Sequence, residues 1–332
     1  MAKPKVFVTR TLPDPGMKSI EKFCQAEVWP DELPPSRDQL LERVRGADGL
    51  VCLLSDRIDA EVMDAAGPGL KVISNFAVGV DNVDLAAATA RRVPVGNGPG
   101  VLTDATADMT FALLLAAARR VTDGERAVRQ GEWKTWGPST LLGADLHGAT
   151  LGIVGFGRIG QAVARRASGF DMRVLFSEPR PVSADPDLAA EQVELETLLA
   201  ESDFVSLHCP LTPETRGLIG AEALKRMKPT AILINTARGA VVDQPALFAA
   251  LKERRIFAAA LDVTDPEPLP PDHPLLRLDN LIVTPHIASA GRKARQKLSQ
   301  VTADNLIAGL KGERLPFCVN PEVYSRPAVS QA

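Results

Sequence analysis

The stretch "TLGIVGFGRIGQAVARRA", residues 150–167, joins an apolar run to a helical pattern through a glycine-rich turn. Its glycines, which have the spacing G-x-G-x-x-G, are Gly155, Gly157 and Gly160. Such glycines permit a tight turn, a close approach to a pyrophosphate and close packing of the helix on the strand. The amides of Arg158 and Ile159 would lie at the helix N-terminus, where an anion is favoured. The stretch therefore predicts a dinucleotide-binding unit.

An acidic residue follows at the distance expected for a ribose-binding carboxylate. Glu178 ends the β-type run "MRVLFSE", eighteen residues after Gly160. A carboxylate at this position can accept hydrogen bonds from both adenosine-ribose hydroxyls and would repel a 2′-phosphate, which favours NAD. Arg180 could instead bind that phosphate, and both charges could be solvated loop residues. NAD is therefore the predicted cofactor, with NADP as the alternative.

The alternation of strand and helix patterns extends to both sides of this unit. Over residues 5–97, helical patterns alternate with the β-rich runs "KVFVT", "GLVCLLS", "KVISNF" and "VPVGN". From residue 150 onward there are six strand candidates, as in a complete dinucleotide-binding sheet: "TLGIVGFG", "MRVLF", "DFVSLHCP", "TAILINTA", "FAAALDV" and "NLIVTPH". Strands and helices at these spacings form parallel sheets that are covered on both faces. The sequence thus predicts an α/β protein with two Rossmann-like domains, each a doubly wound parallel sheet.

The length of the chain fits two domains. Its 332 residues exceed the usual size of one domain, and a hydrophobic content of 45% is ample for two cores. The N-terminal unit is the smaller one, so the last stretch, which begins helical, is expected to pack against it. We predict a discontinuous, flavodoxin-like substrate domain of residues 1–98 plus 291–332, with a dinucleotide-binding domain of residues 99–290 inserted. The helical pattern over 103–121 is apolar nearly all round, which predicts burial between domains or subunits.

Charge and composition argue against several classes of protein. The formal charge of −3 and the absence of a basic block argue against a nucleic-acid surface. The most apolar run, residues 111–118, is far shorter than the ~20 residues that span a bilayer, and the N-terminus lacks the apolar core of a signal peptide. The four cysteines have no C-x-x-C spacing. We expect a cytoplasmic protein with a small-molecule substrate and no metal site.

Polar side chains follow three strand candidates of the C-terminal half. Arg238 follows "AILINTA", Asp262 and Glu267 lie around "LDVTDPEP", and His286 follows "LIVTP". Ligands bind beyond the carboxyl ends of parallel strands, so these groups could converge. An arginine can bind a carboxylate bidentately, and a histidine oriented by a carboxylate can protonate a carbonyl oxygen as hydride arrives at its carbon. Taken singly, Arg238 could be a surface ion pair, Glu267 a solvated loop charge and His286 a hydrogen-bonded residue at the end of a strand.

Six ordered stretches together resemble the motif set of the D-2-hydroxyacid dehydrogenases. They are "NFAVGVDNVDL", "GIVGFGRIGQAVARRA", "HCPLTPETRGLI", "LINTARGAVVD", "ALDVTDPEP" and "LDNLIVTPHIAS". The resemblance covers about residues 5–322, and "GEWKTWGP" (131–138) is most similar to glyoxylate/hydroxypyruvate reductases. It implies NAD(P)H-dependent reduction of small 2-oxo acids, glyoxylate and hydroxypyruvate, to D-2-hydroxy acids.

The resemblance also implies a role for each matched residue. Arg238 would bind the substrate carboxylate and carbonyl, His286 would be the acid/base, and Glu267 its partner. The other residues implied for the substrate site are the wall residue Leu53 and the backbone amides of Val78 and Gly79. The residues implied around the cofactor are Thr106, Arg158, Ile159, Glu178, Pro210, Thr215, Thr236 and Asp262. After His286, the small residue Ala288 would leave room for the nicotinamide amide.

The resemblance further implies a homodimer formed mainly through the cofactor domain, with Trp136 as a residue that could reach a neighbouring active site. Related activities differ at single positions. Phosphite dehydrogenases have a lysine where this chain has Val78, and formate dehydrogenases lack the carboxylate that Glu267 supplies. Two alternatives stay open: another D-2-hydroxyacid specificity, or an NAD-gated binding protein similar to the C-terminal-binding corepressors.

Overall fold

The computed structural model describes residues 2–180, 182 and 185–325, which form two compact units. The first unit is formed by residues up to Leu102 together with those from Gly291 onward, and the second by Thr103–Ala290. The division after Leu102 lies a few residues beyond the predicted limit at 98, because the helix that begins at Thr103 packs within the second unit.

A five-stranded parallel sheet forms the centre of the first unit. Its strands are β1 (Lys5–Val8), β2 (Gln25–Val28), β3 (Gly49–Cys52), β4 (Val72–Asn75) and β5 (Val95–Gly96). The four N-terminal helices are α1 (Gly16–Phe23), α2 (Arg37–Arg43), α3 (Ala60–Ala66) and α4 (Leu85–Ala90), and the last α-helix of the described chain, numbered α11 below, spans Arg292–Leu310. The strand order β2-β1-β3-β4-β5 is that of the flavodoxin-like fold, as predicted.

Local sequence explains the ends of these helices. Ser36 and Gln39 form a capping box at the start of α2, and the carboxylates of Asp59 and Asp84 cap α3 and α4. The strands β3 and β4 are buried along their whole length, as expected of central parallel strands. Leu298 and Leu306 of α11 belong to the apolar core that covers one face of this sheet.

The second unit contains a seven-stranded parallel sheet. Its strands are β6 (Thr150–Val154), β7 (Arg173–Ser177), β8 (Ala190–Gln192), β9 (Phe204–Leu207), β10 (Ile232–Asn235), β11 (Ala258–Leu261) and β12 (Leu281–Val283). Its helices are α5 (Thr103–Ala118), α6 (Val121–Arg129), α7 (Arg158–Ala167), α8 (Leu195–Glu201), α9 (Ala221–Arg226) and α10 (Gln244–Lys252). Counted from β6, the order is the Rossmann order 3-2-1-4-5-6 with one more strand, β12, at the edge.

The apolar helix predicted over 103–121 ends earlier than its pattern. Arg120 has a φ of +51°, a left-handed conformation that stops α5 and starts α6 in a new direction. Phe111 and Leu114 bury one face of α5 in the core of the second unit, against α7 and the sheet. Among the helices of the described residues, none combines the length and the apolar character needed to cross a membrane.

Candidate active site

The glycine loop has the geometry that the sequence predicts for a pyrophosphate site. Gly155 has a φ of +90°, and a Cβ there would lie 2.5 Å from the backbone N of Cys209. A Cβ on Gly160 would collide with the Gly155 carbonyl, whereas a Cβ on Gly157 would meet no atom within 4 Å. Gly157 therefore leaves space in front of the N-terminus of α7. This loop fits a dinucleotide, whose pyrophosphate would bind there.

Glu178 lies beside this loop at the carboxyl end of β7. The Phe156 amide donates a hydrogen bond to Glu178 Oε2 (3.2 Å), and the Arg180 amide donates to Oε1 (3.4 Å). Gln192 of β8 donates to the Glu178 carbonyl at 3.0 Å. The carboxylate is thus held next to the glycine turn, where an adenosine ribose would follow the pyrophosphate. The Arg180 side chain is exposed at the edge of this site.

Two further pairs of predicted cofactor residues lie together in the second unit. Thr110 links the first pair: its hydroxyl donates to the Thr106 carbonyl (2.8 Å) and lies 3.0 Å from the Thr236 hydroxyl. The second pair forms a turn after β9, in which the Thr215 hydroxyl donates to the Pro210 carbonyl at 2.7 Å. Thr236 and Pro210 lie beyond the carboxyl ends of β10 and β9, respectively.

His208, which directly follows β9, has a hydrogen-bonding partner on that strand. His208 Nε2 lies 2.8 Å from the hydroxyl of Ser206. Burial lowers the pKa of His208 to about 3, so the ring is neutral at physiological pH. Burial also raises the pKa of the neighbouring Cys209 thiol to about 11, which keeps it protonated and unreactive.

The two residues predicted as the acid/base and its carboxylate partner lie within hydrogen-bonding distance of each other. His286 Nδ1 lies 2.9 Å from Glu267 Oε2, and the other carboxylate oxygen accepts a hydrogen bond from the Thr264 amide at 2.9 Å. Burial acts to raise the pKa of Glu267, but the hydrogen bond from His286 and the charges of His286 and Arg238 lower it below its ordinary value. Glu267 is therefore ionised and fixes the imidazole through Nδ1, so that Nε2 is the ring nitrogen that could exchange a proton with a bound molecule.

Asp262 shapes the turn that presents His286. The Asp262 side chain is buried, and its carboxylate accepts hydrogen bonds from the Thr284 hydroxyl and from the amides of Ile287 (2.9 Å) and Ala288 (2.6 Å). His286 itself has a φ of +55° and donates its amide to the Asp262 carbonyl at 2.9 Å. The resemblance placed Asp262 beside the cofactor. The structure adds a role that the sequence did not reveal, which is to close the turn on both sides of His286.

Arg238 lies after β10, next to the strand that leads to Glu267. The Asn235 side chain donates to the Arg238 carbonyl (2.9 Å) and accepts from the Ala237 amide (3.0 Å), which fixes the turn. A Cβ on Gly239 would collide with the backbone of Thr264, so the two loops lie in direct contact. Because β10, β11 and β12 are adjacent parallel strands, Arg238, Glu267 and His286 lie on the same side of the sheet, beyond the carboxyl ends of these strands.

The first unit has its own cluster of predicted residues. Leu53 follows β3, and Val78 and Gly79 follow the adjacent strand β4. The Asn82 side chain donates a hydrogen bond to the Leu53 carbonyl at 2.9 Å. The Asn75 side chain donates to Asn82 Oδ1 and to the Gly79 carbonyl, each at 3.0 Å. This asparagine network was not predicted, although both asparagines lie in the "NFAVGVDN" stretch. No group of side chains able to hold a metal ion occurs among the described residues.

Comparison with known proteins agrees with this geometry. Residues 111–288 match the family model of the D-isomer specific 2-hydroxyacid dehydrogenase NAD-binding domain. The chain is 54% identical over 323 residues to the glyoxylate reductase of Korarchaeum cryptofilum, covering 97% of each chain, and 52% identical to that of Pyrococcus furiosus over 97% of this chain and 96% of the relative.

Solved structures agree over the whole fold. A protein of Thermus thermophilus is 53% identical and superposes with a TM-score of 0.88, over 95% of this chain and 99% of that one. The NADPH-dependent glyoxylate/hydroxypyruvate reductase of Sinorhizobium meliloti, solved with NADP and malonate, is 30% identical with a TM-score of 0.84, over 99% and 100% of the two chains.

Proposed function

Since the chain belongs to the D-isomer specific 2-hydroxyacid dehydrogenase family, we propose that this NAD(P)-dependent dehydrogenase reduces glyoxylate and hydroxypyruvate, to glycolate and D-glycerate. The observation that carries the proposal is the arrangement of Arg238, Glu267 and His286 at the ends of three adjacent strands. Relatives at 54% and 52% identity named glyoxylate reductase support this choice of substrate within the family.

Each of the three residues has a distinct task in the proposed reaction. The guanidinium of Arg238 binds the carboxylate of the 2-oxo acid and polarises its carbonyl. The reduced nicotinamide cofactor supplies the hydride. His286 Nε2 gives its proton to the carbonyl oxygen, and in the reverse direction the neutral ring takes that proton back. Glu267 keeps Nδ1 in place and stabilises the protonated ring through its negative charge.

We assign the cofactor to the second unit and part of the substrate site to the first. The open space at Gly157 and the carboxylate of Glu178 support the binding of a dinucleotide. In this proposal the other residues around the cofactor are Thr106, Arg158, Ile159, Pro210, Thr215, Thr236, Asp262 and Ala288. The amides of Val78 and Gly79 and the side chain of Leu53 complete the carboxylate site in this proposal. Because Glu178 stands beside the glycine loop, NAD is the favoured cofactor, and the exposed Arg180 is the group that would admit NADP.

A homodimer formed through the second unit belongs to the same proposal. Large apolar side chains are exposed along residues 121–142 of the single chain, namely Val121, Val128, Trp133, Trp136 and Leu142. Trp136 is 80% exposed, which is unusual for a tryptophan and suits burial by a second subunit. Light scattering coupled to gel filtration tests this assembly. A cytoplasmic location stays a prediction from the sequence.

The experiment that tests the function is a set of initial rates, followed by nicotinamide absorbance. NADH and NADPH are each combined with glyoxylate, hydroxypyruvate, pyruvate and a bulkier 2-oxo acid. Fast turnover of glyoxylate and hydroxypyruvate supports the proposal. If the enzyme prefers another 2-oxo acid, that acid is its substrate instead. His286→Gln should lower kcat by about 10²–10⁴-fold, whereas Arg238→Ala should mainly raise KM. If all acids are inert while NADH still binds, the chain is a cofactor-gated binding protein.

A further inference from the structure

Two consecutive carbonyl groups in the loop after β4 are held by a single segment of the first unit. The Ala77 carbonyl accepts a hydrogen bond from the Gly98 amide at 2.9 Å. The Val78 carbonyl accepts one from the side-chain Nδ2 of Asn97 at 2.7 Å. Asn97 and Gly98 directly follow β5, the strand next to β4 in the sheet. The loop after β4 is thus tied to the loop after β5 through its carbonyl oxygens.

These bonds also set the direction of two N–H groups. The C=O and N–H of one trans peptide group point in opposite directions, and the cis peptides of the described chain all lie elsewhere, before prolines. Holding the carbonyls of Ala77 and Val78 therefore turns the N–H groups of Val78 and Gly79 away from Asn97. In the described part of the chain, neither N–H donates to a protein acceptor. Two neighbouring N–H groups turned to one side form a site suited to a carboxylate.

The Asn97 side chain is itself held by a fixed backbone. The Asn97 carbonyl accepts a hydrogen bond from the buried Asn305 side chain at 2.9 Å, and the Asn97 amide donates to the Phe317 carbonyl at 3.3 Å. Asn305 belongs to α11, and a Cβ on Gly96 would lie only 2.8 Å from it, so the helix and β5 are in close contact. This packing defines where the Asn97 amide stands before any substrate arrives.

We propose that Asn97 is a positioning residue of the substrate carboxylate site, which acts by holding the Val78 carbonyl so that the Gly79 N–H faces the substrate. This inference rests on the proposed function, in which the amides of Val78 and Gly79 bind the carboxylate of the 2-oxo acid. Without the Nδ2 donor, the Val78–Gly79 peptide group can rotate and turn its carbonyl oxygen toward the substrate. A charge-assisted hydrogen bond would then be replaced by repulsion between two oxygens.

The test compares Asn97→Ala and Asn97→Asp with the wild type in steady-state reduction of glyoxylate. A hydrogen bond to a charged group is lost, so KM should rise by about 10–100-fold. The Kd of oxamate, a non-reacting analogue of the substrate, should rise by a similar factor. The value of kcat should change by less than about threefold, because the interaction is made equally in the ground state and in the transition state of the bound substrate. The Kd of NADH, measured by fluorescence titration, should be unchanged. Asn97→Asp keeps the shape of the side chain and exchanges the donor for an acceptor, so its KM should rise at least as much.

Asn320→Ala is the matched control. Asn320 is a buried asparagine of the same unit whose side chain donates to the Val93 carbonyl (3.0 Å) and accepts from the Val95 amide (2.8 Å). Its loss should lower Tm but leave the KM of glyoxylate near the wild-type value. An unchanged KM in a folded Asn97 variant, or an equal rise in Asn320→Ala, overturns the inference. Should Asn97→Ala not fold, Asn97→Asp gives the same comparison. A wild type that reduces no 2-oxo acid refutes the proposed function instead.

Discussion

His286 and Glu267 form a hydrogen bond of 2.9 Å between loops that follow two neighbouring strands, β12 and β11. The second oxygen of Glu267 is held by the Thr264 amide, also at 2.9 Å. Because both oxygens have donors, the carboxylate cannot rotate without losing a bond. The imidazole is therefore oriented by its partner before a substrate binds, which is the condition for efficient proton transfer.

Replacing Glu267 by glutamine should remove most of the activity. The variant keeps the size of the side chain but loses the charge that stabilises the protonated ring, so kcat should fall by about 10²–10⁴-fold. Stopped-flow measurement of cofactor oxidation gives the rate of the chemical step. Asp265→Asn is the control, since it removes one charge from the same loop at a side chain that is 56% exposed. A chemical step as fast as that of the wild type would exclude the role assigned to Glu267.

Glu178 should determine the choice between the two cofactors. Its carboxylate stands beside the Phe156 amide of the glycine loop, where a 2′-phosphate would meet a like charge. Glu178→Gln removes this repulsion, so the ratio of kcat/KM with NADPH to that with NADH should rise by about tenfold or more. Initial rates with both cofactors at saturating glyoxylate give the ratio. The control, Glu191→Gln, neutralises an exposed carboxylate of β8 and should leave this ratio unchanged. If the ratio is also unchanged in Glu178→Gln, other residues determine the cofactor preference.

The sequence predicted those parts of the molecule that depend on local pattern. The glycine turn, the buried central strands and the strand-end residues Arg238 and His286 were all identified from runs of a few residues. The strands β2 and β8 were missed, because they lie at sheet edges and contain no buried residue, so neither has an apolar run.

Relations between distant residues could not be predicted in this way. The bond from Asn97 to the Val78 carbonyl depends on which groups lie together once the chain has folded. The same is true of the three donors that surround the Asp262 carboxylate. The sequence indicates that these side chains are polar, but the sheet order decides which partners they meet.

Asp262→Asn should disturb catalysis and stability together. An asparagine offers one acceptor oxygen in place of two, so at least one donor among Thr284, Ile287 and Ala288 loses its partner inside the protein. A buried donor without a partner costs about 1–3 kcal/mol of unfolding free energy, and the loosened turn should lower kcat through the misplaced His286. Urea unfolding and steady-state kinetics measure the two effects. The control, Asp279→Asn, changes an exposed aspartate and should show neither effect. If Asp262→Asn has the kcat of the wild type, Asp262 does not position His286 for catalysis.

His208 should make the protein less stable as the pH falls below neutrality. Burial lowers the pKa of His208 to about 3, whereas the ordinary value in an unfolded chain is 6.5. Between these two values the unfolded chain binds one proton more than the native protein, so the free energy of unfolding rises with pH by up to about 1.4 kcal/mol per pH unit. His208→Gln abolishes this contribution, and the stability advantage of the wild type over the variant should therefore shrink as the pH is lowered from 6.5 toward 3. Urea unfolding of both proteins at several pH values measures the difference, with His147→Gln as the control because that histidine side chain is 82% exposed. A difference between wild type and His208→Gln that stays constant with pH would mean that His208 takes up its proton in the folded protein as readily as in the unfolded chain.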